Sequence, residues 1–238
     1  MKFKNLRISS FSPLWWFYIL LQLASIIVIK LTVVKVKLFL TLFALFTILF
    51  LLVYKYILVT TSNGQYIFAN ELPLYLCNLN IIYGLIGVIY ENQILMGFCY
   101  SIGLVGAILA LVMPEEDFTN IPFFSSRAFG FYGYHSLLVI FDISLVTTNF
   151  FKPQYNIVLK IMLLAVITLL AVHLINIIFS KTIHPLANYS FTMYPINSIL
   201  EKMYQIIPIR CVYLFPLIPV FALCYLLLTF LVIRVGLI

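Results

Sequence analysis

The chain has 238 residues, 64% of them hydrophobic and 9% charged, with a formal net charge of +7. That much apolar surface excludes a soluble globular domain of this size. The basic excess (pI about 9.2) points to anionic lipid headgroups rather than nucleic acid, because Lys and Arg gather beside the negative leaflet of a membrane.

A helix crosses the hydrocarbon core with ~20 apolar residues, and among open-chain structures only a helix satisfies its backbone there. Seven apolar runs have that character: Leu14–Ile29, Leu38–Val59, Leu72–Tyr90, Leu95–Met113, Phe129–Asn149, Ile157–Phe179 and Cys211–Ile233. The pattern predicts an all-α, polytopic membrane helix bundle of about seven transmembrane helices, forming one integral membrane domain over residues 1–238. Lys2, Lys4 and Arg7 before the first run suggest a signal peptide. The run lacks a small-residue cleavage site, however, and carries Trp15 and Trp16, which suit an interfacial belt; it is expected to remain as the first helix. Gly84, Gly87, Gly103 and Gly106 punctuate the third and fourth runs, where small residues let helices approach closely.

Seven spans put the termini on opposite sides. The face shared with the N-terminus carries Lys2, Lys4, Arg7, Lys55, Arg127, Lys181, Lys202 and Arg210, against Lys30, Lys35, Lys37, Lys152, Lys160 and Arg234 on the other. The bias, with the basic N-terminal tail, favours a cytoplasmic N-terminus in the cell membrane. The two largest connections, Pro114–Ala128 (with Glu115, Glu116 and Asp117) and Ser180–Arg210, both fall on the N-terminal face. A site is to be sought there.

That face also holds the chemistry. Cys77 and His135 sit near the starts of the third and fifth runs, which enter from the same side. A thiol and an imidazole are the nucleophile and base of cysteine catalysis. Pro73 fits the first turn of its helix, which places Cys77 in the second turn, where a helix dipole does little and the histidine carries most of any activation. Against this, a membrane cysteine is more often a small apolar filler, although an ionisable residue such as His135 inside a span tends to be functional. His173 and Asn176 face the same leaflet, and for His173 a hydrogen bond to a neighbouring helix is the preferred reading. Asp142, seven residues after His135, lies on the same helical face; a neutralising pair with Lys160 is preferred over a proton relay. Cys99, Cys211 and Cys224 complete the four cysteines and form no C-x-x-C pair with Cys77 or with one another. No metal site and no cofactor are expected.

Leu72-Pro73-Leu74-Tyr75-Leu76-Cys77, Met113-Pro114, Phe131-Tyr132-Gly133-Tyr134-His135 and Asn188-Tyr189 follow one another in an order that resembles the YwaF family of integral membrane proteins. Its relatives include the transmembrane protein 164 group of cysteine-dependent phospholipid acyltransferases. The resemblance covers roughly residues 70 to 195. It implies that Cys77 is a nucleophile and His135 its partner. In the related androgen-induced membrane hydrolases a threonine replaces the cysteine and acts on fatty esters. Two departures stand out: many members have His where this chain has Tyr75, and the stretch between Asn176 and Asn188 is longer than usual.

Two readings follow. In the first, the protein is a lipid acyltransferase or acyl hydrolase; Cys77 attacks a lipid ester with His135 as base, and membrane lipids, a phospholipid or lysophospholipid among them, are the partners. Asn78, Asn80, Tyr132, Asn176, Asn188 and Tyr189 are the candidate substrate-binding residues, and the oxyanion needs donors, for which Asn78, Asn80, Asn176 and Tyr132 are the nearby candidates. In the second, a non-catalytic transporter or receptor-like bundle lines a solute cavity with the same side chains. The chain shows no convincing internal repeat of the kind transporters carry.

Overall fold

A computed structural model describes residues 6–61, 71–114, 118–234 and 236. Glu115, Glu116 and Asp117 lie outside the described residues, as does the basic tail before Leu6.

Each apolar run is helical: α1 (Pro13–Thr32), α2 (Val36–Thr61), α3 (Leu76–Ile89), α4 (Gln93–Phe98) continuing through a π turn (Cys99–Gly103) into α5 (Leu104–Val112), then α6 (Ser126–Thr147), α7 (Val158–Thr182), the short α8 (Ser198–Ile206) and α9 (Leu217–Arg234). Six of these stretches, counting Gln93–Val112 as one, are long and apolar enough to cross a membrane; α3 is the shorter seventh. Several of the helices begin where polar caps satisfy orphan amides. Ser12 accepts from Trp15 N with Pro13 at the first position, Ser125 accepts from Ala128 N, and Asn197 accepts from Leu200 N.

α6 is the central helix. In its most apolar window 72% of residues are buried, against 22% for α2 and 17% for the last span, whose Leu, Ile and Phe side chains face outward as lipid-contacting helices require. α6 packs on α1, α2, α3 and α5. Gln22 of α1 donates to Ser136 of α6 at 2.8 Å, and the Trp15 indole donates to the Leu111 carbonyl at 2.7 Å. Small residues set the close approaches. A side chain at Gly130 would strike the Tyr54 ring, one at Gly84 the Phe141 ring, one at Gly103 the Asn80 amide and one at Gly87 the side chain of Met96. Gly106 has open space beside it and is not a packing glycine.

Two expectations about the spans need correction. The third run does not become helical at Leu72. Glu71–Tyr75 is irregular, and Pro73 belongs to this lead-in rather than to the first turn. The last membrane helix starts at Leu217 rather than Cys211, after a 3-10 turn over Val212–Leu214. On the N-terminal face, the pair β1 (Arg7–Ile8) and β2 (Ile121–Pro122) ties the chain start to the α5–α6 connection. Arg7 Nη1 donates to the Asn120 carbonyl there at 2.7 Å.

Candidate functional site

α2 serves as a ruler for depth. Lys37 near its start pairs with Glu91 just past the end of α3, at 2.6 Å, and Lys55 near its other end pairs with Glu71 before α3. α3 therefore runs antiparallel to α2. At ~1.5 Å per residue, Cys77, fourteen residues before Glu91, falls roughly level with position 51 of α2. α6 is registered on the same ruler by Gly130 against Tyr54 and Gly133 against Phe50. His135 thus falls roughly one helical turn or less from the level of Cys77. Tyr134, its chain neighbour, confirms the contact between the two elements: its hydroxyl donates to the Cys77 carbonyl at 3.1 Å.

Because α3 begins at Leu76, Cys77 lies in its first turn, not the second. No side chain caps that turn, so its amide dipoles act on a half-buried thiol. The thiol therefore lies beside the unpaired amides of the helix start. The Cys77 thiol also faces the Asn78 amide oxygen at 3.7 Å.

His135 is buried on α6, and its Nδ1 is 2.8 Å from the carbonyl of Phe131, one turn back. A carbonyl only accepts, so Nδ1 donates and Nε2 keeps its lone pair. The imidazole is thereby held in the tautomer a general base needs. Phe131 also packs on the ring, with centroids 4.5 Å apart.

The other residues singled out by sequence divide sharply. Both Asn176 amide hydrogens are spent, one on the Tyr189 carbonyl and one on Thr192 Oγ1, each at 2.8 Å, and its oxygen accepts from Tyr189 N at 2.9 Å. Asn188 Oδ1 accepts from Met193 N at 2.9 Å and its amide donates to the Tyr194 carbonyl at 2.8 Å. The Tyr132 hydroxyl donates to the Phe118 carbonyl at 3.1 Å. His173 bonds Thr192 Oγ1 at 3.1 Å, a loop residue rather than a neighbouring helix. These residues build the scaffold of the N-terminal face.

Asn80 and Asp142 belong to a second, deeper cluster. The expected Asp142–Lys160 pair does not form. Asp142 is fully buried and accepts from Asn80 Nδ2 at 2.9 and 3.2 Å, while Lys160 is exposed. The Cys99 thiol donates to the Asn80 carbonyl at 3.2 Å. The cluster sits against the π turn, whose Gly103 lets the Asn80 amide lie flat on the backbone.

Above Cys77 the Asn188–Thr192 hairpin closes on the irregular lead-in of α3. The Ser190 hydroxyl donates to the Leu74 carbonyl at 3.1 Å, and the Tyr189 and Phe191 rings lie 5.7 and 5.8 Å from Tyr75. Ser190 and Phe191 both adopt left-handed backbone (φ 52° and 60°), a conformation that costs a non-glycine residue about 1 kcal/mol or more each and persists only where neighbours enforce it. Enforcement comes from Asn176, from the Tyr213 hydroxyl, which donates to the Phe191 carbonyl, and from Cys211 N, which donates to the Thr192 carbonyl at 2.8 Å.

Tyr134, Lys55 and Glu71 were missed as site residues by sequence reasoning. Lys55 was discoverable, because a lone charge within an apolar helix is costly and calls for a partner. Tyr134 stands next to His135 and carried no separate signal.

A model of the TMEM164 family matches residues 6–233, nearly the whole chain. The chain belongs to the TMEM164 family. The match reaches well beyond the 70–195 stretch that carried the resemblance, and it supports the transmembrane protein 164 side of that resemblance rather than the YwaF name. No curated protein and no solved structure matches the chain. Membership and the six long apolar helices together make this an integral membrane protein.

Proposed function

We propose that this TMEM164-family protein is a membrane-embedded lipid acyltransferase in which Cys77 is the nucleophile and His135 the base. The observation that carries the reading is the placement of a first-turn thiol within about one helical turn, in depth, of an imidazole whose Nδ1 is tied to Phe131. His135 Nε2 takes the thiol proton as Cys77 Sγ bonds to the ester carbonyl carbon. The ester C–O bond then breaks, the proton passes to the departing lysolipid oxygen, and a thioester remains. In the second half a lysolipid hydroxyl gives its proton to Nε2, attacks the thioester carbon and releases the thiol; water in that role gives hydrolysis.

A site sunk below the N-terminal face suits an ester that lies under the headgroups. Of the candidate oxyanion donors, Asn80, Tyr132 and Asn176 have hydrogens committed elsewhere, which leaves Asn78, beside the thiol, as the preferred side chain. The test is labelling of purified protein with an acyl-mimicking electrophile. The reading expects labelling at Cys77 that excess phospholipid suppresses and that His135→Ala removes. Labelling that ignores lipid, or that falls equally on Cys224, returns the protein to the solute-cavity reading.

A further inference from the structure

Lys55 and Glu71 are the second feature of the N-terminal face that the acyl-transfer chemistry does not use. They form an ion pair inside the bundle edge, with side chains only 18% and 12% exposed. The Lys55 ammonium also lies 5.7 Å from the Tyr54 ring centroid and 5.8 Å from that of Tyr75, and it stands within electrostatic reach of His135. Taking a lysine and a glutamate out of water is costly, and simple helix attachment is obtained more cheaply with apolar residues. Near the same carboxylate stands Tyr189. Its residue is 1% exposed, and its hydroxyl is buried with no hydrogen-bond partner. A buried polar atom left unpaired in an otherwise well-bonded hairpin calls for an explanation, and a ligand atom beside the ion pair would supply one.

The depth fits one chemistry. Lys55 lies about four residues along α2 from the level of Cys77, a step of roughly 6 Å toward the N-terminal face. A glycerophospholipid carries its phosphate outward of its ester carbonyls by a step of that order. A zwitterionic headgroup has a phosphodiester anion and an amine cation joined by a short link, which is the charge complement of Lys55 and Glu71.

We propose that Lys55, Glu71 and Tyr189 form a headgroup-binding site for zwitterionic phospholipids, placed so that a lipid held there presents its ester to Cys77. Binding is an exchange of partners: the phosphate takes Lys55 and the Tyr189 hydroxyl, the amine takes Glu71 and the face of Tyr75, and no charge is left unpaired. The placement relative to Cys77 rests on the acyl-transfer reading; the headgroup preference does not.

The experiment separates the two. Lipid binding is measured by native mass spectrometry on Cys77→Ala protein in detergent, with phosphatidylethanolamine and phosphatidylglycerol as the two probes and soluble glycerophosphoethanolamine as competitor. Phosphatidylethanolamine is expected to bind better, by about tenfold, the value of one charge-assisted contact. Glu71→Gln should erase that preference while leaving phosphatidylglycerol binding intact. Lys55→Met should weaken both lipids, and Lys55→Met/Glu71→Gln, which leaves no unpaired charge, should fold and bind without preference. Tyr189→Phe should weaken both lipids yet raise the melting temperature, since it removes an unpaired buried hydroxyl. Competition by glycerophosphoethanolamine is expected to be partial, because the acyl chains contribute. Equal effects of Glu71→Gln on the two lipids, or no preference in the parent, overturns the proposal. Retained preference in a protein that transfers no acyl group overturns only the enzyme reading.

Discussion

Two of the polar regions among the described residues of the helix bundle each contain a cysteine. Around Cys99 the thiol donates to the Asn80 carbonyl and the Asn80 amide donates to the Asp142 carboxylate, all fully buried beside the π turn, and the Asn80 side-chain oxygen is left without a partner. Around Cys77 the groups are only half enclosed. The thiol is partly accessible, His135 offers Nε2, and the Lys55–Glu71 pair keeps a small exposure. What separates the two regions is access: Asn80, Cys99 and Asp142 are sealed by the packing around them, whereas a partly accessible thiol can be reached by a ligand.

The sharpest way to break that comparison is to remove each thiol. Cys77→Ala is expected to reduce acyl transfer between a phospholipid donor and a lysolipid acceptor by about a thousandfold or more, with little change in melting temperature. His135→Ala should match it, and the double variant should be no worse than either single one, because the pair acts as a unit. Cys99→Ala should do the reverse: nearly full activity, with a modest loss of stability from the lost Asn80 contact. Full activity in Cys77→Ala would erase the distinction.

The deeper region is tested next by stability. Asp142→Ala leaves the Asn80 amide buried without its acceptor, which should cost about 1–3 kcal/mol. Gly103→Ala pushes a methyl into the same amide and should cost a similar amount. Because both act through Asn80, their effects should fall short of adding. Chemical unfolding in detergent measures this. Activity per folded molecule should be unchanged, and a large loss in either variant would join the two regions functionally.

How much of this was legible in the sequence follows from the kind of signal each element leaves. The apolar runs and the concentration of polarity on one face depend on local composition and could be read directly. The start of α3 could not. Leu72-Pro73-Leu74 is apolar enough to continue a helix, but Ser190, from far along the chain, takes the Leu74 carbonyl, and Glu71 is held by Lys55. Asp142 misled for a related reason: Lys160 is near in sequence across a short loop, while Asn80, the true partner, is 62 residues away. Cys77 and His135 could be singled out because their residue types are chemically conspicuous. Tyr134 and Glu71 were not found because an aromatic residue and a loop carboxylate are ordinary until their partners are seen.

A finer probe asks whether the first turn of α3 must be held from α6. Tyr134→Phe removes only the hydroxyl bond to the Cys77 carbonyl, worth about 0.5–1.5 kcal/mol. The expected outcome is a severalfold fall in kcat, with KM little changed and Cys77 labelling slowed in proportion. A loss of stability without any change in labelling would make Tyr134 a packing residue of the deeper region instead.

The smallest effect expected concerns pH and the hairpin above the site. Burial, helped by the nearby Glu71 carboxylate, pushes the Tyr189 hydroxyl up to about 12 from an ordinary value of 10.0. The folded protein therefore holds that proton more tightly than the unfolded chain does. The associated stabilisation is complete below pH 10 and disappears as the pH climbs through 10 toward 12, because only the unfolded state then gains by releasing the proton. Neutral pH is untouched. Unfolding followed from pH 8 to 12 should show a decline over the upper two units that is shallower in Tyr189→Phe than in the parent. Parallel curves would mean that Tyr189 is solvated, which would place its hydroxyl outside the closed hairpin and remove it from the headgroup site.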